Sequence, residues 1–302
     1  MRWDVPLDEA VHPGTLGCQG CGGTLAMRLV LKALGPDTVA VLPACCWSII
    51  DGPWPVHALK IPVFHTAFET AAVTAAGIKA AKLHQGKDTT VVAWAGDGGT
   101  FDIGIQALSG AAERNEDIIY VCYDNEAYMN TGIQRSSSTP AGAWTTTTPD
   151  ERPETRPKKD IMAIMAAHQI PYAATATPAF PDDLLAKVAK ARTITGTRFL
   201  HVLSVCPPGW KLPSGQAVAV MRAAVESRVF PLFEVGDGVD LTITHWPSAE
   251  VDPAEYFRMQ GRFRPLLDDP EALDRVRAGV GRRWEWLVAR HRETHPEGDA
   301  AT

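Results

Sequence analysis

Thr89-Thr90-Val91-Val92-Ala93-Trp94-Ala95-Gly96-Asp97-Gly98-Gly99 decides how the chain folds. Its first seven residues form a short, mostly apolar run, the pattern of a strand buried on both faces. The glycine-flanked aspartate ends that run in a turn. Residues 101–114 then return to helical spacing, and residues 117–123 (DIIYVCY) read as a second buried strand that runs into Asp124-Asn125. Strand, polar turn, helix and strand make the unit of a parallel sheet covered on both faces. Such sheets take ligands at the carboxyl ends of their strands.

The alternation continues outward in both directions. Towards the N-terminus, residues 22–34 predict a helix that stops at Gly35-Pro36, residues 39–42 a strand, and the Ala-rich residues 66–83 a helix. Towards the C-terminus, residues 135–159 are rich in Ser, Thr and Pro and predict a long loop, of a length that usually carries function or mobility. Helices follow at 160–169, 181–192 and 214–227, and strands at 172–176 and 198–205. From about residue 228 short strands mix with a basic helix near 270–292. The expected class is α/β, with one domain over residues 1–235 and a C-terminal extension, 236–302, serving subunit docking.

Composition narrows the function. The 302 residues carry a net charge of −6 with 45% hydrophobic and 21% charged residues, ordinary for a globular chain. With no basic excess to neutralise phosphates, nucleic-acid binding is not expected. No window approaches a membrane span, and the acidic, proline-containing N-terminus lacks the apolar run of a signal peptide, so a cytoplasmic location is expected. Six cysteines in such a chain point to thiols or metal ligands ahead of disulfides.

Asp97 and Asn125 stand 28 residues apart, each just past a strand. Adjacent parallel strands would set them side by side at one sheet edge. A carboxylate and an amide oxygen suit Mg²⁺ or Ca²⁺, which also take diphosphate oxygens. Gly96, Gly98 and Gly99 let backbone N–H groups approach an anion. The plainer alternative is a strand-to-helix turn capped by the aspartate. Cys18 and Cys21 form a C-x-x-C in a glycine-rich loop: a zinc half-site, a redox dithiol or chance spacing. Cys46 and Cys206 each follow a predicted strand, and Cys122, inside an apolar strand, reads as a buried free thiol.

The longer strings are more specific. Gly96-Asp97-Gly98-Gly99-Thr100-Phe101-Asp102-Ile103-Gly104, followed by Asp124-Asn125-Glu126-Ala127-Tyr128-Met129-Asn130-Thr131-Gly132-Ile133-Gln134-Arg135-Ser136, resembles the β subunits of the 2-oxoacid:ferredoxin oxidoreductase family. The resemblance covers roughly residues 15–235 and is greatest to the pyruvate:ferredoxin oxidoreductase (pyruvate synthase) branch. Subunits for 2-oxoglutarate or indolepyruvate usually read closer to YGMTGGQ where this chain reads YMNTGIQRS.

What the resemblance implies is concrete. Thiamin diphosphate would be bound through Mg²⁺, with Asp97, the Asn125 side chain and the Ala127 carbonyl as metal ligands and Gly96, Gly98 and Gly99 against the diphosphate. Asn130 and Thr131 would hydrogen-bond the diphosphate or face the reacting carbon. His65, in the string Phe64-His65-Thr66-Ala67-Phe68-Glu69, would lie near the cofactor. Cys18, Cys21, Cys46 and Cys206 would ligate one 4Fe–4S cluster, with Cys45, which stands where the family usually has glycine, the competitor for Cys46. The family reaction converts pyruvate, coenzyme A and oxidised ferredoxin to acetyl-CoA, CO₂ and reduced ferredoxin. An α subunit would supply the pyrimidine half of the thiamin site and the catalytic Glu, and ferredoxin-like γ and δ subunits would carry electrons onward.

Alternatives stay open at this level. They are the same chemistry on an aryl or branched-chain 2-oxoacid, a non-redox thiamin-dependent lyase or transferase subunit, and a zinc-stabilised assembly subunit. Arg135 and Ser136–Thr139 would contact coenzyme A or a partner, or form solvated loop. Lys158-Lys159 and the Arg275, Arg277, Arg282 and Arg283 group would steer an acidic ferredoxin or form a solvated face.

Overall fold

The computed structural model describes residues 5–53 and 55–296; the first four residues of the acidic N-terminus lie outside them. Eight strands form one sheet: β1 (Thr38–Pro43), β2 (Val63–Thr66), β3 (Thr90–Gly96), β4 (Ile119–Asp124), β5 (Tyr172–Ala176), β6 (Arg198–Leu203), β7 (Phe233–Gly236) and β8 (Asp240–Ile243). Their order across the sheet is β2-β1-β3-β4-β6-β5-β7-β8. The first six are parallel; β7 and β8 join antiparallel at one edge.

Eleven α-helices connect and cover the strands among the described residues: α1 (Gly22–Leu34), α2 (Cys46–Ile50), α3 (Ala71–His84), α4 (Ile105–Glu113), α5 (Ile161–Ala167), α6 (Pro181–Thr193), α7 (Pro207–Trp210), α8 (Ala217–Glu226), α9 (Pro253–Arg258), α10 (Arg264–Leu267) and α11 (Pro270–Thr294). One sheet face packs on α1 and α6 through Met27, Val30, Leu31, Leu184 and Val188. The other packs on α3, α4, α5 and α11 through Ala72, Ala75, Leu108, Met165 and Leu287. Both faces of β1, β3, β4, β5 and β6 are thus buried, which is why these strands read as continuous apolar runs.

The expected α/β class and parallel sheet are present. The sequence misses β2, a four-residue edge strand whose Phe64 and His65 are exposed; burial leaves too short an imprint there to separate it from the following helix. A division at residue 235 falls inside β7, and the segment beyond adds β8 and α11 to the same sheet and core.

The strand order sets up the functional rim. The turns after β3 and β4 carry Asp97 and Asn125. The turns after β1 and β6, their outer neighbours, carry Cys45-Cys46 and Cys206. Gly22, at the start of α1, brings Cys21 to the same rim, because its N–H donates to Val205 O at 2.9 Å. A Cβ on Gly22 would lie 2.6 Å from Val205 N, on backbone that cannot give way. Gly22→Ala is therefore expected to cost about 1–3 kcal/mol, the usual cost of overpacking, seen as a lower melting temperature. An unchanged melting temperature would show that this contact is slack.

Candidate thiamin diphosphate and thiol site

β3 and β4 pair with Gly96 opposite Tyr123, so the residues that follow them emerge side by side. The Asn125 side-chain oxygen lies 2.9 Å from Ala127 O and 3.0 Å from Asp97 Oδ1. Three acceptors with no donor between them repel one another, unless the Asn125 amide turns over to donate to the other two. A divalent cation resolves the same arrangement with the amide oxygen facing in. Mg²⁺–oxygen distances of 2.0–2.1 Å in an octahedron place neighbouring ligands about 2.9 Å apart. The residues present therefore fit Mg²⁺.

The charge environment agrees. Asp97 is 1% exposed, and burial, with the Asp124 carboxylate nearby, pushes its carboxyl well above the ordinary range. Burial also pushes Asp124 up, but the Lys158 ammonium and His201 outweigh it and hold Asp124 ionised. Lys158 Nζ lies 2.5 Å from Asp124 Oδ2 and 2.9 Å from Glu126 Oε1, and His201 Nε2 lies 2.7 Å from Asp124 Oδ2. The turn after β4 is thus backed by an ionic network, whereas Asp97 itself faces the cleft without a cationic partner in contact, among the described residues.

The serine run, ambiguous in the sequence, is a clasp. Ser136 Oγ donates to Asp97 Oδ2 at 2.5 Å, Ser137 Oγ donates to Asp102, and Ser138 Oγ donates to Asp124 at 2.7 Å from both carboxylate oxygens. Thr139 Oγ1 donates to Glu126 O at 2.7 Å. Four consecutive hydroxyls tie the long loop to both halves of the motif. In sequence they look like any polar loop, because each partner lies 13–39 residues away. Lys158 and Lys159 are likewise engaged: Lys159 Nζ donates to Phe101 O. Arg277 and Arg283 pair with Asp252 and Asp160.

A cleft of about 190 Å³ opens beside this turn, lined by Gly96, Asp97, Gly98, Gly99, Asn125, Ala127, Asn130, Thr131, Phe68 and Cys45, among others. Gly98 is required there: a Cβ would lie 2.0 Å from the Tyr128 ring, whose hydroxyl donates to Asp102 at 2.7 Å. Asn130 and Thr131 are exposed at its mouth, Thr131 Oγ1 donating to Gln134 Oε1 at 2.6 Å. His65 does not line the cleft; its Nε2 lies 3.1 Å from Asp51 Oδ2, and Phe68 of the same string reaches the cleft instead.

All six cysteines are free. Burial and the neighbouring Cys45, Cys206 and Cys21 push the Cys46 thiol up to about 12, and burial, with Cys21 and Cys18 adding to it, pushes Cys206 up to about 11. The thiols therefore share one neighbourhood. As folded, however, no three His, Cys, Asp or Glu side chains among the described residues converge as a metal-binding group. The expected four-cysteine ligand set is not closed. Cys45 N-caps α2, and its sulfur meets the N–H of Ser48. Cys122 is buried in β4, as expected.

Fold and turn together define a thiamin-diphosphate-binding domain. Residues 53–202 match the model of the thiamine pyrophosphate enzyme C-terminal TPP binding domain. Ketoisovalerate oxidoreductase subunit VorB of Pyrococcus furiosus is 47% identical over 95% of this chain and 94% of its own. Pyruvate synthase subunit PorB of Methanothermobacter thermautotrophicus is 48% identical over 89% of this chain and 94% of its own. The fold is shared with a 2-oxoglutarate:ferredoxin oxidoreductase from Magnetococcus marinus (TM-score 0.59, 23% identity, 74% of this chain and 81% of that one). The chain belongs to the thiamin-diphosphate-dependent 2-oxoacid:ferredoxin oxidoreductase family, on the branch that holds VorB and PorB. No helix among the described residues is long and apolar enough to cross a membrane.

Proposed function

We propose that the chain is the catalytic, diphosphate-binding β subunit of a pyruvate:ferredoxin oxidoreductase. The observation that carries this reading is the convergence of the Asn125 amide on Ala127 O, 2.9 Å away, and Asp97 Oδ1, 3.0 Å away, beside a glycine-lined cleft. Bound thiamin diphosphate supplies the nucleophilic carbon that adds to the 2-oxo carbon of the substrate. The protein's share is to anchor and orient. Asp97, Asn125 and Ala127 hold Mg²⁺; Gly96, Gly98 and Gly99 lie against the diphosphate; Ser136 fixes the Asp97 carboxylate; Asn130 and Thr131 face the reacting end. Cys18, Cys21, Cys46 and Cys206 hold a 4Fe–4S cluster. Four free thiols in one neighbourhood are the right donor set, and burial, with the neighbouring thiols adding to it, pushes Cys46 and Cys206 up.

A cleft of about 190 Å³ is below the size of pockets that enclose a cofactor-sized ligand. That supports an α subunit completing the thiamin site with the pyrimidine half and the catalytic Glu. Ferredoxin-like subunits and ferredoxin then take the electrons, and coenzyme A takes the acyl group. The segment after residue 236 serves subunit docking in this assembly.

The stretch YMNTGIQRS favours pyruvate. The near-equal likeness to VorB and PorB supports a second reading, a branched 2-oxoacid. Coenzyme-A-dependent viologen reduction by the anaerobically purified complex, with pyruvate, 2-oxoisovalerate, phenylglyoxylate and 2-oxoglutarate in parallel, decides between them. We expect pyruvate to give the highest kcat/KM. A preference for 2-oxoisovalerate selects the second reading, and no reduction in an iron- and thiamin-loaded sample would overturn both.

A further inference from the structure

Glu126, at the centre of the metal turn, has φ +67°, a left-handed conformation that costs a non-glycine residue energy and persists where the surroundings impose it. The reversal is what turns the Asn125 side chain and the Ala127 carbonyl onto one point. Asp124 Oδ1 accepts the Glu126 N–H at 2.9 Å, Thr139 holds its carbonyl and Lys158 one carboxylate oxygen. The other oxygen is held from far along the chain. Arg262, 2% exposed, places Nη2 2.5 Å from Glu126 Oε2 across a separation of 136 residues.

The same guanidinium lies 3.6 Å from the centre of the Trp210 ring, and its Nε donates to Gln260 Oε1 at 3.0 Å. Trp210 ends α7, the short helix that Cys206 caps, and its indole N–H donates to Asn125 O at 2.7 Å. Arg262 therefore braces both the residue after Asn125 and the ring that holds the Asn125 carbonyl. A lysine could not do both, since it has no plane to stack and no fork to share.

We infer that Arg262 is a positioning residue for the metal turn, locking Asn125 and Ala127 into the geometry that receives Mg²⁺. This rests on the proposed thiamin site. The test uses the full-length chain in its complex, titrating Mg²⁺ against thiamin diphosphate binding by calorimetry, alongside the melting temperature of the metal-free protein. We expect Arg262→Met to raise the half-saturating Mg²⁺ concentration at least tenfold and Arg262→Lys to recover only part of the loss. In Arg262→Met the buried Glu126 carboxylate keeps Lys158 on one oxygen and loses its partner on the other. Adding Glu126→Gln removes that half-satisfied charge, so it should restore much of the melting temperature while Mg²⁺ binding stays weak.

A merely structural residue would shift melting alone, so a half-saturation within twofold of wild type in Arg262→Met overturns the inference. Should that variant fail to fold, Trp210→Phe keeps the ring and deletes the N–H to Asn125. We expect it to weaken Mg²⁺ binding several-fold, and unchanged binding would again overturn the inference. Failure of the wild-type protein itself to bind thiamin diphosphate with Mg²⁺ would overturn the thiamin reading and this one with it. That result is recognisable because no substitution is involved.

Discussion

Asp97→Ala is expected to raise the Mg²⁺ requirement for thiamin diphosphate binding by at least about a hundredfold and to abolish 2-oxoacid oxidation. Loss of an outer-shell partner of a metal ligand already costs 10–100-fold, and an inner carboxylate contributes more. The metal-free protein should meanwhile melt no lower than wild type. Asp97 is buried, pushed up by that burial and by Asp124, and has one hydroxyl donor in contact, so its charge is a burden until a cation arrives. Opposite movements of metal affinity and stability mark a residue kept for its site. Calorimetric Mg²⁺ titration and a melting curve read both, and unchanged binding would remove Asp97 from the site.

Cys206→Ser should empty the cluster. Serine has nearly the shape of cysteine and caps short helices well, so the turn into α7 should survive. Iron and acid-labile sulfide are expected to fall from about four of each per chain to near zero. Viologen reduction should fall by several orders of magnitude, with thiamin diphosphate binding kept within about threefold. Cys122→Ser, in a strand interior, should retain the cluster. Full cluster content in Cys206→Ser would exclude Cys206 as a ligand. The same measurement on Cys45→Ser and Cys46→Ser decides which of the two neighbours is the third ligand.

Much of this was legible in the sequence because its signals are local. The apolar runs at 89–95 and 117–123 carry β3 and β4, and the polar residues just past them necessarily meet once the strands pair. The four-residue β2 was not legible, being half-exposed and too short to show a period. Nor was the clasp of Ser136, Ser137 and Ser138, whose partners lie on the turn after β3 and at the end of β4. Nothing local marks a serine that will meet a buried carboxylate. Arg262 lay further out of reach, since its value comes from a glutamate and a tryptophan brought to it by the fold alone. Lys158 misled in the other direction: beside Lys159 it suggested a surface patch, whereas it is the half-buried counter-ion of the buried Asp124 and Glu126.

The order β1-β3-β4-β6 puts the turns bearing Cys46 and Cys206 on either flank of those bearing Asp97 and Asn125. Neighbouring strands lie about 4.8 Å apart, so the outer two stand only about 14 Å from each other. Under the proposed reaction, electrons leaving the substrate pass from donor to acceptor inside a single rigid rim. No swinging arm or diffusing carrier is needed for that first hop. The span of this step is then set when the sheet folds, by the order of its strands.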